Sequence, residues 1–147
     1  MNHGSIAPLM TADHRHCDEF LATVEEHVQK KRWEAADAAF AQWRAALLCH
    51  LAREEEMLFP AFERATGHSE GPTMVMRAEH AQMRDLLEPM AQALAARDGK
   101  RFLDLSDSLM VLMQQHNMKE EQVLYPMCDH VIDDREGLAG QIAARQP

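Results

Sequence analysis

The feature that most limits what this chain can become is an eleven-residue pattern that occurs twice. His50-Leu51-Ala52-Arg53-Glu54-Glu55-Glu56-Met57-Leu58-Phe59-Pro60 returns 66 residues later as His116-Asn117-Met118-Lys119-Glu120-Glu121-Gln122-Val123-Leu124-Tyr125-Pro126. A histidine, two acids, a leucine, an aromatic and a proline recur in register. Histidine and glutamate four residues apart share one face of a helix, about one turn (~6 Å) from each other, so both can reach one cation. Each pair also lies on an apolar stripe, where an unsatisfied polar group costs roughly 1–3 kcal/mol and an ionised carboxylate more. The fold must therefore gather these groups around something that satisfies them.

The rest of the sequence predicts an all-α scaffold. Ala, Leu, Glu, Gln, Arg and Met dominate and β-branched residues are scarce. After a lead-in over residues 1–7, a first stripe runs His14, Cys17, Leu21, Val24, Val28 and closes at Lys30-Lys31-Arg32. The second runs Ala36, Phe40, Trp43, Leu47, His50, Glu54, Met57, Ala61, bends at Pro60 and stops at Gly67. Pro72 opens a third, with Met76, His80, Met83, Leu87, Met90 and Leu94, bent at Pro89 and ended by the turn Asp98-Gly99. The fourth carries Phe102, Leu105, Leu109, Met113, His116, Glu120, Val123 and Met127. A short terminal helix is expected near Leu138–Ala144. Four helices with short connections predict an antiparallel up-down-up-down bundle, in a single domain over residues 1–147 with its core at about 8–130.

In such a bundle, residues equidistant from a turn face each other. His14 and His50 are centred on Arg32, His80 and His116 on Asp98, and Glu54 and His80 on Gly67, all within predicted turns. His14, His50, Glu54, His80, His116 and Glu120 thus fall in one layer. Four imidazoles and two carboxylates exceed the needs of a tetrahedral structural zinc. Two metals, each with two histidines and sharing both carboxylates, fit better. Imidazole and carboxylate suit iron, with zinc, manganese or copper also compatible.

The same residues resemble the hemerythrin superfamily, in the branch named for its His-His-Glu cation-binding motif, over roughly residues 8–130. That resemblance implies a four-helix bundle and a non-haem centre of two iron ions. The irons are bridged by an oxygen atom together with Glu54 and Glu120, with His14, His50, His80 and His116 as terminal ligands. Oxygen-carrying hemerythrins place a further histidine one turn after the third-helix histidine, where this chain has Arg84. They also close the fourth-helix motif with an aspartate five residues after its histidine, where the spacing here is His116–Glu120. The expected site is nearly symmetric, with an open position on each metal. It suits binding or sensing of O2, nitric oxide or peroxide better than reversible O2 carriage. Peroxide or nitric oxide detoxification, repair of iron centres and iron storage are the alternatives, and no catalytic acid–base pair is visible beyond the ligands.

Composition narrows the setting. A formal charge of -9 and the lack of any basic run exclude nucleic acid and anionic membrane surfaces as natural partners. No signal peptide or membrane span is expected, and three cysteines in unrelated settings read as reduced thiols in a cytoplasmic monomer or homodimer. Glu55, Glu56 and Glu121 read as solvated acids or partners of the ligands, and Asp13 and Glu79 as groups that orient neighbours or as surface charge. Arg84 and Asp18 read as surface ion-pair residues or groups at a pocket mouth. Cys17, Cys49 and Cys128 read as buried hydrophobes, with a redox role conceivable for the first two. His3, His16, His27, His68 and His130 are expected at the surface. Met74, Met76, Met83, Met90, Met110 and Met113 are expected as core filling, and Phe59 and Tyr125 are expected to point away from the ligands as packing.

Overall fold

The computed structural model describes residues 5–147, so His3 and most of the expected lead-in lie outside the described residues. All regular structure among the described residues is helical: α1 (Ile6–Gln29), α2 (Trp33–Arg53), α3 (Phe59–Thr66), α4 (Pro72–Ala95), α5 (Gly99–Lys119), α6 (Tyr125–Val131) and α7 (Arg135–Ala144). A single π-helical turn, Glu54–Leu58, joins α2 to α3, and another, Glu120–Leu124, joins α5 to α6. The 66-residue repeat is carried into the structure: α1 and α4, α2 and α5, and the two π turns begin and end in register. Helix α1 packs on α2 and α5, and α4 packs on α5 and α2.

The short turns explain how the pairs are held. After α1, Arg32 N–H reaches the His27 carbonyl and Lys31 N–H that of Val28, with Lys31 left-handed at φ 55°. After α4, Asp98 N–H reaches Ala93 and Arg97 N–H reaches Leu94, with Arg97 at φ 57°. Both are Schellman closures with a long basic residue where glycine is usual. Gly99 was the expected glycine of the second turn. It is instead the first residue of α5, where a Cβ would stand 3.4 Å from Trp33 and from Val28. Asp98 caps α5 by accepting from Arg101 N–H at 3.1 Å. The N-terminus of α1 is capped from far along the chain: Asp129 accepts from Ile6 N–H at 2.8 Å and Ala7 N–H at 3.0 Å. The carboxylate meets the positive end of the helix and its free amides together.

Two expected stripes need correction. Met57, Ala61, Val123 and Met127 were assigned to the core; Val123 and Met127 are exposed and Met57 and Ala61 only partly covered. Leu58, Phe59 and Phe62, and Leu124, Tyr125 and Cys128, are buried instead. The π turn is the cause. Phe59 N–H bonds the Glu54 carbonyl and Tyr125 N–H that of Glu120, five residues back rather than four, so each helix carries one extra residue and its inner face advances by one position. Pro60 follows directly and has no N–H to give; the Glu55 carbonyl accepts from Arg77 Nη1 at 3.3 Å. Helix α4 runs on through Pro89.

The apolar core has two parts. One, around Val28, Trp43, Leu47, Met83, Met90 and Phe102, fills the end of the molecule that holds the short turns. The other, around Ile6, Met10, Leu58, Phe59, Leu124 and Ile142, fills the opposite end, where α7 docks. Between them lies a layer of buried polar side chains.

Candidate metal centre

That layer consists of His14, His50, Glu54, His80, His116 and Glu120, none more than 3 % exposed. The structure brings together all six residues expected from sequence. Donor atoms of His14, His50, Glu54 and Glu120 lie within 4.8 Å of one another, and so do those of Glu54, His80, His116 and Glu120. Both glutamates belong to both quartets.

Contacts inside the layer have a consistent span. His50 Nε2 is 3.2 Å from Glu54 Oε1, His80 Nε2 3.1 Å from the same oxygen, and His116 Nε2 3.1 Å from Glu120 Oε1. His14 Nε2 is 3.0 Å from Glu120 Oε1. Yet His50 Nε2, His80 Nε2, His116 Nε2, Glu54 Oε1 and Glu120 Oε2 have no hydrogen-bond partner. Five buried polar atoms converging without partners are rare in a folded chain, because each loses its hydration for nothing. Cations among them would satisfy all five, so the residues present fit a metal pair.

The outward nitrogens are all engaged. Asp13 on α1 meets His50 Nδ1 at 2.8 Å, Glu55 of the first π turn meets His80 Nδ1 at 2.8 Å, Glu79 on α4 meets His116 Nδ1 at 2.8 Å, and Glu121 of the second π turn meets His14 Nδ1 at 2.7 Å. A carboxylate at Nδ1 keeps the proton there and leaves Nε2 free as a donor to metal. Three of these acids are backed by cations: Asp13 by Arg53 at 3.0 Å, Glu55 by a two-pronged Arg84 at 2.8 Å, and Glu79 by Lys119. The reading of Glu55, Glu121, Asp13 and Glu79 as partners of the ligands is the one the geometry bears out. Glu56 lies outside the layer and pairs with Arg145 at 2.6 Å. Arg53 and Lys119 were not singled out from sequence, though the repeat contained the signal: a basic residue follows each motif histidine by three positions.

The electrostatics follow from this wiring. Burial pushes the Glu55 carboxyl up, but hydrogen bonds from His80 and Arg84 outweigh it and hold the group at about 2. Burial likewise disfavours protonated His80, while Glu54 and Glu55 more than compensate and raise it to about 9. In Asp13, burial is outweighed by His50 and Arg53, leaving the carboxyl below its ordinary value. Without cations the buried carboxylates thus favour the protonated forms of His50, His80 and His116, and a metal bound there would displace a proton from each. Asp18, the repeat counterpart of Arg84, makes no ion pair among the described residues. Burial raises its carboxyl, with His14 opposing and Glu121 adding to the rise.

The remaining expectations divide. His16, His68 and His130 are exposed, whereas His27 is partly covered. All three cysteines are buried and unpaired. Burial is the main cause that pushes the Cys17 thiol up to about 11, so it stays protonated and unreactive at neutral pH. Cys49 donates to the Arg145 carbonyl at 3.5 Å. Met76, Met83, Met90 and Met113 are core, while Met74 is 55 % exposed. The expectation for Phe59 and Tyr125 is overturned, because the π turns rotate both onto the ligand layer. Phe59 stacks on His80 with centroids 5.6 Å apart, and the Arg77 guanidinium lies over the Phe59 ring at 5.3 Å. The Tyr125 hydroxyl lies 2.8 Å from Glu54 Oε2, 3.0 Å from Glu120 Oε1 and 3.0 Å from His14 Nε2.

Comparison with protein families agrees with this layer. The model of the hemerythrin HHE cation-binding domain matches residues 5–128. The chain belongs to the hemerythrin HHE cation-binding family. The match covers all six buried donors and the four acids behind them, and ends before α7. No curated protein and no solved structure matches the chain significantly. Among the described residues, no helix of this hemerythrin-family protein is long and apolar enough to cross a membrane.

Proposed function

We propose that the chain is a single-domain, antiparallel up-down-up-down four-helix bundle that holds two iron ions. His14 and His50 would hold one, His80 and His116 the other, and Glu54 and Glu120 would be shared between them. The centre binds or senses O2, nitric oxide or peroxide in the cytoplasm. The observation that carries this reading is the sharing of both glutamates between two quartets, supported by the orphaned donor atoms. A lone ion in either quartet would leave one histidine pair, two of the six residues, without a cation. Two cations offset two buried carboxylates and replace the protons that the histidines otherwise hold.

When bound, the metal pair supplies coordination positions for a small ligand and exchanges electrons with it. The chain does the rest. Asp13, Glu55, Glu79 and Glu121 fix the imidazole tautomers and hold the rings in place. Phe59 lies on His80, and the buried Leu58, Leu124, Met83 and Met113 belong to the two apolar clusters, so the layer admits only small molecules. The four acids lie at the edge of the layer and accept the Nδ1 protons of the histidines.

Anaerobic loading with ferrous iron, followed by metal analysis, tests the centre: two irons per chain are expected, and one zinc per chain would overturn the reading. Exposing the reduced protein to nitric oxide, O2 and peroxide in turn then identifies the ligand by its change in absorption. Catalytic consumption of peroxide that vanishes in His80→Ala and Glu120→Ala would assign the enzyme role instead of the sensor.

A further inference from the structure

The six donors are nearly symmetric about the repeat; the residue after each π turn is not. Phe59 and Tyr125 occupy equivalent positions, both fully buried. Their rings sit alike, Phe59 at 5.6 Å and 26° from His80, Tyr125 at 5.5 Å and 31° from His14. Only Tyr125 adds an oxygen, and that oxygen is aimed inward, at three of the metal donors from three separate parts of the chain. A buried structural tyrosine needs one acceptor for its hydroxyl. This one is placed among Glu54 Oε2, Glu120 Oε1 and His14 Nε2 at 2.8–3.0 Å. Two donors in adjacent positions on one octahedral ion, with bonds of about 2.1 Å, stand about 3.0 Å apart. The histidine–glutamate separations of 3.0–3.2 Å have that spacing. The phenol oxygen has it too.

We propose that Tyr125 is a seventh protein ligand, its oxygen completing the coordination of the metal held by His14 and His50. This rests on the two-metal reading above and changes its symmetry. The His14–His50 metal is closed by the phenol oxygen, whereas the His80–His116 metal keeps an open position beside the Phe59 ring, which has nothing to donate. Small ligands then meet one metal of the two. In the metal-free chain the hydroxyl proton is donated to Glu54 Oε2. On a ferric ion the oxygen binds as phenolate, and its proton leaves for solvent with those displaced from the histidines.

Tyr125 is the one tyrosine in the chain, which makes the test unambiguous. The ferric protein, with two irons per chain established by metal analysis, is excited in its visible absorption band. Resonance Raman should show phenolate ring modes that shift when the protein is produced with ring-deuterated tyrosine. Tyr125→Phe should lose the phenolate band and keep two irons. Two irons per chain with no isotope-sensitive phenolate modes would overturn the ligand role and leave the metal centre standing. A chain that takes up no metal pair would overturn both. The labelled wild-type protein answers the question even where the variant fails to fold.

Discussion

At the scale of single residues, the site is a closed ring of carboxylates and imidazoles. An acid on α1 holds the histidine of α2, the π turn after α2 holds that of α4, α4 holds that of α5, and the π turn after α5 returns to α1. Each histidine is thus oriented by a different part of the chain from the one that carries it, so no ring can turn without disturbing a neighbour. Outer partners of this kind are typically worth 10- to 100-fold in metal affinity. Glu55→Ala should therefore weaken metal binding by about that factor, measured by competition with a chelator, while Glu56→Ala leaves it unchanged; equal effects would refute the distinction. The same pair sets a pH profile in the metal-free chain. Glu55 titrates at about 2 in the fold against an ordinary 4.5, so its contribution is present above 4.5 and is lost as pH falls toward 2. His80 titrates at about 9 against an ordinary 6.5, so its contribution is full below 6.5 and is lost as pH rises through 9. The stability lost in Glu55→Gln, read from denaturant midpoints, should be greatest between pH 4.5 and 6.5 and shrink on both sides. A difference that stayed flat from pH 2 to pH 9 would show that the two groups are not coupled. Sequence spacing sufficed to bring these six residues into one layer, because histidine and glutamate at i and i+4 on an apolar stripe share one buried face. It did not assign which acid holds which histidine, since those contacts cross between helices.

At the scale of the element, the π turns decide what reaches the centre. An α-helix advances 100° per residue, so one extra residue swings everything beyond Glu54 and Glu120 by about that angle relative to the ligand face. This is why Phe59 and Tyr125, which a regular 3.6-residue period turns outward, lie against His80 and His14. The four long helices were legible because their stripes are long and their stops are strong. The π turns were not, because periodicity assumes a constant pitch and the prolines that accompany them also suit an ordinary kink. Gln122 is exposed and lies within the second π turn. Its deletion should restore α-helical pitch and rotate Tyr125 out of the layer. The expected result is a fully helical far-UV spectrum with loss of the phenolate band and weaker retention of the His14–His50 metal. Unchanged spectra in the metal-loaded form would mean that the inserted residue has no bearing on the site.

At the scale of the molecule, the polar layer interrupts the apolar core. The two clusters on either side have to be joined through a slab of four histidines and two glutamates, five of whose atoms lack partners. Burying such atoms opposes folding, so the metal-free chain is expected to be held mainly by the two clusters and the metal-loaded chain by the slab as well. Ligand that binds only the folded state adds RT ln(1 + [L]/Kd), about 2.7 kcal/mol per site at a hundredfold excess over Kd. Two sites therefore raise the melting temperature by something on the order of 10–20 °C for a domain of this size. Substitutions separate the two contributions. Trp43→Phe thins the cluster near the short turns, well away from the donors, and should lower the melting temperature of the loaded and metal-free forms alike. Glu120→Gln keeps the volume but removes a carboxylate shared by both quartets, so it should abolish most of the rise on loading and cost the metal-free form less, through the lost pairing with His116. Calorimetry of both variants with and without ferrous iron under argon supplies the comparison. If Glu120→Gln lowered the metal-free melting temperature as much as the loaded one, its carboxylate would be a structural group of the core, and the layer would owe its existence to packing rather than to metal.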